Sequence, residues 1–338
     1  MDSMPKRLRD YGIVIGAQAT GRLNAITDVA GVRVGHKTIV EGNDIRTGVT
    51  VIVPGEGNVF QQKLAAGVYV GNGFGKMTGI SQIQELGNLE TPIVLTNTLA
   101  VAAGVEALVR YTMRQDGNEL VRSCNAVVGE TNDGELNDIR AMRVTAGDVM
   151  EAIDCAAGGV VTEGCVGAGT GTVCFGFKGG IGTASRVAEC GGAGRYTVGA
   201  LVQTNFGGRL TIDGRAYGPG GTQDVDGSCM MVVATDAPLC ARNLSRLAKR
   251  AFLGLGRTGG YASNGSGDFV IAFSTAEQTR VPQEGRGELL LRRELHNNDV
   301  TPLFQGAIES TEEAILNSLV AAVDMTGHGG KTVRAVRM

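Results

Sequence analysis

The sequence predicts a layered α/β sandwich. About ten apolar, β-branched runs have the length of buried strands, and five segments repeat their apolar residues with the period of a helix. The helical segments fall both between the strands and after them, which is the order that layered α/β folds show. No linker-like stretch divides the 338 residues, so we expect one domain spanning 1–338.

Glycine is the outlier of the composition. The chain has 53 glycines among 338 residues, roughly double the average usage of about 7%. They are spread through strand-like segments, and only 7 prolines accompany them. This distribution indicates closely packed strands and tight turns, because glycine allows both close backbone approach and positive φ.

Several kinds of partner are not expected. The net charge of −3 and the scattered basic residues argue against nucleic acid, and no apolar run is long enough to cross a membrane. The first residues lack the apolar stretch of a secretory signal, so we expect a cytoplasmic protein. Seven cysteines without a C-x-x-C pair and three dispersed histidines predict neither a metal site nor a cofactor.

The first half of the chain alternates strands with helices. A helix over 98–113 is predicted by the apolar residues at 101, 105, 108 and 109. The acidic loop after the strand at 125–128 lacks the ligand spacing of a calcium loop. Expected elements are strands at 47–53, 67–70, 92–96 and 125–128, and helices at 78–86, 98–113 and 146–157.

The second half contains the longest helices. One begins near Thr235 and keeps a single apolar face as far as 255, and another covers 305–323. In the second helix Glu312 falls on the apolar stripe, where it either pairs with a basic side chain or belongs to a site. Strands are expected at 159–162, 172–178, 196–204, 229–235, 267–273 and 331–336.

The stretch 264–276, NGSGDFVIAFSTA, joins a turn to a buried strand. Asn-Gly is first of all a turn signal. However, Gly265 has no side chain, so its carbonyl is open to attack by the hydroxyl of Ser266. Cleavage there would leave Ser266 with a free amine, whose reference pKa of about 7.7–8.0 suits a general base. No histidine stands in a motif typical of a Ser-His-Asp triad.

Seven stretches together resemble the self-processing aminopeptidases of the DmpA type, which are L-aminopeptidase/D-amidase-esterases and β-peptidyl aminopeptidases. The resemblance covers nearly the whole chain. The stretches are LNAITDVAGVRVGH, RTGVTVIVP, ETNDGELND, GAGTGTVCFGFKGGIGTASR, LVQTNFG, VVATDAPL and NGSGDFVIAFSTA.

The resemblance implies a four-layer αββα sandwich like that of N-terminal nucleophile hydrolases. It implies cleavage between Gly265 and Ser266, giving an α chain 1–265 and a β chain 266–338. It also implies tetramers of αβ units and substrates that are small peptides or aminoacyl amides and esters with a free amine.

The same resemblance assigns roles to individual residues. Asn205 would hold the oxyanion, and Glu130 would bind the substrate ammonium. Ser310 and Glu312 would lie near the nucleophile, which requires Ser310 to sit in a distorted first helical turn because residues two apart do not share a helix face. Asn132 would also belong to the substrate-binding site, where it departs from one branch of the family, which has an aromatic residue there.

Two further functions are compatible with these residues. Ornithine acetyltransferases share the architecture and the self-cleavage but use threonine, which Ser266 mildly disfavours. An uncleaved binding or scaffold protein is the second alternative. For Glu130, the alternative is a carboxylate that caps backbone amides of its own loop.

Overall fold

The computed structural model describes residues 6–218, 227–285, 287 and 289–338. The α-helices are α1 Ile80–Leu86, α2 Val101–Met113, α3 Ala146–Asp154, α4 Ala241–Arg257 and α5 Thr301–Val320. The strands of the first half are β1 Arg33–Glu41, β2 Ile45–Val53, β3 Gln62–Gly73, β4 Asn88–Leu89, β5 Ile93–Asn97, β6 Val127–Thr131, β7 Val173–Cys174 and β8 Phe177–Lys178. Those of the second half are β9 Gly180–Glu189, β10 Arg195–Asn205, β11 Thr211–Ile212, β12 Arg215–Ala216, β13 Ser228–Thr235, β14 Gly267–Ser274, β15 Val281–Pro282, β16 Met325–Thr326 and β17 Thr332–Val333.

Two large sheets organise the described residues. The four-stranded sheet has the order β1-β2-β5-β6, and the larger sheet has the order β15-β3-β14-β13-β10-β9 with β4 beside β3. Each sheet contains one parallel pair, β5 with β6 and β13 with β14. A helix joins the strands of each pair, α2 in the first and α4 in the second, because a parallel connection has to return along the sheet.

The two sheets pack face to face, and helices cover their outer sides. Along β14 the side chains alternate: Ile271 and Phe273 lie in the core between the sheets. Val270 and Ala272 lie in the core beneath the helices of the larger sheet. A third core buries α2 and α3 against the four-stranded sheet. This arrangement confirms the predicted αββα sandwich.

Helix α4 confirms its predicted apolar face, since Leu244, Leu247, Ala251 and Leu255 are buried.

The predicted strand at 159–162 is wrong. That segment is irregular, and the isolated bridges nearest to it are at Ala157 and Gly164, on either side of it. The predicted strand at 172–178 is interrupted by a tight turn, in which Phe175 has a φ of 54°. The two pieces, β7 and β8, pair with each other.

Helix α5 differs from the expected one-sided helix because all its residues from 309 to 320 are buried. It lies between α4 and strands β9 and β10. Two arginines pair with its buried carboxylates. Arg186 of β9 pairs with Glu309 at 3.1 Å and with Glu313 at 2.6 Å, and Arg9 pairs with Glu313 at 2.7 Å. An ionised carboxylate is costly to bury unless it is paired and hydrogen-bonded. No helix in the described part of the chain is long and apolar enough to cross a membrane.

Candidate active site

A cavity of about 270 Å³ opens where strands of both sheets end. Four separate parts of the chain form most of its wall: the segment after β3, the end of β6, the end of β10 and the turn before β14. The residues that line it are Phe74, Lys76, Thr98, Glu130, Asn132, Glu135, Val173, Asn205, Gly227, Ser228 and Gly265. The structure therefore brings four of the residues singled out from the sequence to one place: Glu130, Asn132, Asn205 and Gly265.

The turn that contains Gly265 is held by Asn72 of β3. The Asn72 side-chain amide donates to the carbonyl oxygens of Ser263 at 3.0 Å, Asn264 at 3.0 Å and Ser266 at 2.5 Å. No described residue donates to the Gly265 carbonyl, and Gly265 is the residue of this turn that lines the cavity. The backbone around the Gly265–Ser266 bond is thus fixed, while the carbonyl that would be attacked is left unbonded.

Ser266 immediately precedes β14 and is only 2% exposed. Its hydroxyl makes no hydrogen bond to any described residue and does not line the cavity. Ser266 and Asp268 point to the same side because they are two residues apart in extended chain. Burial raises the pKa of the Asp268 carboxyl to about 6, and the nearby Ser266 hydroxyl offsets part of that rise. The two groups are neighbours, but their geometry falls short of a hydrogen bond.

Asn205 is the last residue of β10 and is buried. Its side-chain oxygen, Oδ1, accepts a hydrogen bond from the backbone N–H of Val173 at 2.9 Å. This bond fixes which end of the side-chain amide is the acceptor. The other end, Nδ2, donates to no described residue, so it is available to an oxygen in the cavity.

Glu130 lies inside β6, opposite Thr96 of β5, and is 2% exposed. The expectation that it sits in a polar loop is wrong, since the strand extends three residues further than predicted. One carboxylate oxygen accepts the backbone N–H of Lys76 at 2.9 Å and lies 3.7 Å from the Lys76 ammonium, and the other accepts the Thr98 hydroxyl. The Glu130 carboxylate thus accepts a backbone N–H from another segment and also lines the cavity, where a ligand could reach it.

Glycine at position 75 brings this carboxylate close to the start of β14. A methyl group added at Gly75 would lie 3.1 Å from the Cα of Gly267 and 3.3 Å from Oε1 of Glu130. The carboxylate is therefore separated from the backbone next to Ser266 by about the width of one methyl group.

Asn132 and Glu135 form the outer part of the cavity wall. Asn132 is exposed, and its side-chain oxygen accepts the backbone N–H of Gly134 at 2.9 Å. Glu135 pairs with the ammonium of Lys331 at 2.6 Å. Asn132 presents no aromatic surface to a ligand.

Ser310 and Glu312 are not part of the cavity wall. Both lie well inside the regular helix α5, so Ser310 is not in a distorted first turn. The Ser310 hydroxyl donates to the carbonyl of Ala307 in its own helix, at 3.4 Å. Glu312 pairs with Arg257 at 3.1 Å, and burial raises the pKa of its carboxyl while Arg257 opposes that rise. The structure thus shows Glu312 paired with a basic side chain, which is one of its two expected roles. A role near the nucleophile stays a prediction for both residues.

Comparison with known proteins places this geometry in a family. Residues 24–333 match the family described as Peptidase family S58. The chain belongs to this family. It is also 41% identical to the β-peptidyl aminopeptidase BapA of Sphingosinicella microcystinivorans, over 97% of this chain and 89% of the relative.

Solved structures of similar proteins have the same fold as this S58 peptidase. The PH0078 protein of Pyrococcus horikoshii OT3 is 45% identical with a TM-score of 0.91, covering 98% of this chain and 96% of the other. The L-aminopeptidase D-Ala-esterase/amidase of Ochrobactrum anthropi, described as a prototype of the serine aminopeptidases and a variant of the Ntn hydrolase fold, is 40% identical. Its TM-score is 0.91, covering 98% and 95% of the two chains. These matches make the chain an aminopeptidase and favour neither the acyltransferase nor the scaffold alternative.

Sequence reasoning missed several residues around the site of this S58 peptidase. Lys76 and Thr98 hold Glu130, Asn72 holds the turn at Gly265, and Asp268 adjoins Ser266. Asp268 could have been found from its place, because a carboxylate two residues after a candidate nucleophile shares its side of a strand. The other three come from distant segments, and no local pattern marks them.

Proposed function

We propose that this S58 aminopeptidase cleaves itself between Gly265 and Ser266 and then uses Ser266 as an N-terminal nucleophile. The observation that carries the proposal is the hydrogen bonding at and around the Gly265 carbonyl. This carbonyl accepts no hydrogen bond from described residues, and Asn72 anchors the carbonyls on both sides of it, while Gly265 itself lines the same cavity as Asn205. The domain 1–338 would then consist of two interlocked chains, 1–265 and 266–338.

Self-cleavage begins with attack of the Ser266 hydroxyl oxygen on the Gly265 carbonyl carbon. The hydroxyl proton passes to the Asp268 carboxylate, and the Asn205 amide donates to the oxyanion. The carbon–nitrogen bond breaks as the nitrogen takes up the proton, which leaves Gly265 esterified to the Ser266 oxygen. Water then hydrolyses this ester and releases the Gly265 carboxylate and a free Ser266 amine. The freed segment that ends at Gly265 would then move away from Ser266 and open its hydroxyl to substrates.

In the aminopeptidase reaction the new amine acts as the base. It takes the proton of the Ser266 hydroxyl as the oxygen attacks the substrate acyl carbon, and it returns a proton to the leaving amine. Asn205 Nδ2 stabilises the oxyanion, and Glu130 binds the substrate ammonium by a charge-assisted hydrogen bond. Water then hydrolyses the acyl-enzyme and releases the N-terminal amino acid.

The size of the cavity supports small substrates. At about 270 Å³ it is below the range of roughly 300–1,000 Å³ that holds drug-sized ligands, so it has room for one N-terminal residue. We propose aminoacyl amides, esters and short peptides with a free amine, in keeping with the names of the two characterised relatives.

We also propose that the αβ units form tetramers in the cytoplasm. The tetramer rests on the resemblance to the DmpA type. The compartment is supported by the seven free cysteines, since a reducing compartment keeps thiols unpaired.

Purified protein is expected to give two fragments, the smaller one beginning Ser-Gly-Asp-Phe, as measured by intact mass and N-terminal sequencing.

The rate of self-cleavage should rise with pH, because the pKa of about 6 leaves Asp268 mostly protonated below that pH. From pH 7 to pH 5 the ionised fraction, and with it the cleavage rate, should fall about tenfold. Asp268→Asn should cleave slowly and without this pH dependence. Equal wild-type rates at pH 5 and pH 7 would exclude Asp268 as the base.

Glu130→Gln is expected to cleave itself normally and yet lose about 10- to 150-fold in kcat/KM on aminoacyl p-nitroanilides. A charge-assisted hydrogen bond contributes roughly 1.5–3 kcal/mol, which corresponds to this range. Glutamine keeps the acceptor for the Lys76 N–H, so the fold should be preserved. N-acetylated substrates serve as the control, and wild type should not cleave them. If wild type cleaves N-acetylated and free substrates equally fast, Glu130 does not bind the amine.

A further inference from the structure

Lys178 is an unusual residue in this fold because its ammonium is fully buried without a carboxylate partner. The side chain is 0% exposed and donates to three backbone carbonyls: Gly169 at 2.9 Å, Thr172 at 2.9 Å and Gly179 at 2.8 Å. No described carboxylate forms a salt bridge with it. Burial lowers the pKa of the ammonium, so a charge at this place is costly to maintain.

One of these carbonyls belongs to a peptide unit that reaches the candidate active site. The carbonyl oxygen of Thr172 and the N–H of Val173 are the two ends of a single peptide group. The ammonium binds the oxygen end at 2.9 Å, and the N–H end donates to Oδ1 of Asn205 at 2.9 Å. Asn205 lines the cavity, and its Nδ2 donates to no described residue. A continuous row of dipoles therefore runs from Lys178 to the cavity.

We propose that Lys178 is a positioning residue that orients and polarises the Asn205 side-chain amide through the Thr172–Val173 peptide group. The inference rests on the proposed role of Asn205 as the oxyanion donor. A cation at the carbonyl end of a peptide group withdraws electron density and makes its N–H a stronger donor. The bond to Asn205 is strengthened in turn, and Nδ2 becomes a better donor to an oxyanion, as in other cooperative hydrogen-bond chains.

Holding the loop in place does not by itself require a charged side chain here. The loop from 167 to 172 is also held by neutral contacts: Gly167 N–H to Thr38 Oγ1 at 2.8 Å, and Ala168 N–H to Thr50 Oγ1 at 3.1 Å. Thr172 O accepts a second hydrogen bond, from Gly179 N–H, at 3.0 Å. With these contacts in place, the contribution particular to Lys178 is its positive charge.

The test compares Lys178→Met with Lys63→Met. Lys63 is also buried, donates to Phe60 O at 3.0 Å and pairs with Glu90 at 2.7 Å, and it does not line the cavity. Both variants should lose thermal stability. Lys178→Met should lose about 10- to 100-fold in kcat at nearly unchanged KM, which is less than the roughly 10²–10³ of a deleted oxyanion donor. Lys63→Met should keep kcat within about twofold. Rates are normalised to the cleaved fraction measured by intact mass.

A double-mutant cycle separates positioning from general damage. In an Asn205→Ala background, Lys178→Met should cost less than about threefold in kcat, because the group it acts through is gone. If the two losses multiply, Lys178 does not act through Asn205 and the inference is overturned. Should Lys178→Met not fold, Lys178→Gln takes its place in the same cycle, since its amide keeps hydrogen-bond donors for the carbonyls and removes the positive charge. If Asn205→Ala alone leaves kcat unchanged, the oxyanion assignment fails instead.

Discussion

Ser266→Ala is expected to yield a folded, uncleaved and inactive protein. The hydroxyl is buried but makes no hydrogen bond to a described residue, so its removal leaves no polar partner unsatisfied and costs little stability. The same hydroxyl is both the attacking group in self-cleavage and the proposed nucleophile. Loss of a serine nucleophile typically lowers kcat by about 10⁶-fold, and we expect a loss of that order here. Intact mass should show one full-length chain after prolonged incubation.

Two further variants make this result interpretable. Ser266→Cys should retain part of the self-cleavage, because a thiol can make the same attack on the Gly265 carbonyl. Ser263→Ala is the matched control in the same turn, since Ser263 is fixed through its backbone carbonyl and not through its hydroxyl. It should cleave like wild type. Turnover of aminoacyl amides by Ser266→Ala would mean that the nucleophile is a different residue.

Asn205→Ala is expected to lower kcat by about 10²- to 10³-fold with little change in KM. Deletion of one oxyanion donor has an effect of this size because the donor acts on charge that develops only in the transition state. Self-cleavage should slow by a similar factor, since Gly265 lies at the same cavity. The Val173 N–H loses its acceptor, which should cost about 1 kcal/mol of stability.

Steady-state kinetics on cleaved protein and a thermal melt together check this prediction. A drop in kcat that is accompanied by only the small fall in melting temperature expected from a loss of about 1 kcal/mol supports the role in catalysis. A kcat within about threefold of wild type would remove Asn205 from the oxyanion role.

The architecture was predictable because periodicity is a local property of the sequence. Helix α4 shows this best, since its buried residues repeat with the helical period, although it begins at Ala241 and not near Thr235 as predicted. Helix α5 shows the limit. Its buried Glu309 and Glu313 break the apolar pattern, and their partners come from distant segments: Arg186, more than a hundred residues earlier, pairs with both, and Arg9 also pairs with Glu313. No local window contains that information.

The site was predictable at the residues that belong to recognisable stretches. Glu130, Asn205 and Gly265 were singled out this way, and the structure brings them to one cavity. Lys178 also lies in such a stretch, yet nothing in the sequence predicted its link to Asn205. That link depends on which end of one peptide group faces each side chain, and such an orientation is set by tertiary packing. Ser310 and Glu312 also match a motif of the family, but in the structure they do not line the cavity.

The position of β14 in the middle of the larger sheet has a consequence for the cleaved enzyme. Cleavage before β14 would leave its fragment hydrogen-bonded to β3 on one side and β13 on the other, with α5 buried beneath α4. The fragments would therefore copurify, and they could separate only by unfolding. Once denatured and diluted, the cleaved enzyme would have to find its partner chain by collision, so its recovery would depend on concentration. The uncleaved Ser266→Ala chain would refold at a rate independent of concentration. After self-cleavage, by contrast, an unfolded molecule would no longer regain its fold as a single chain.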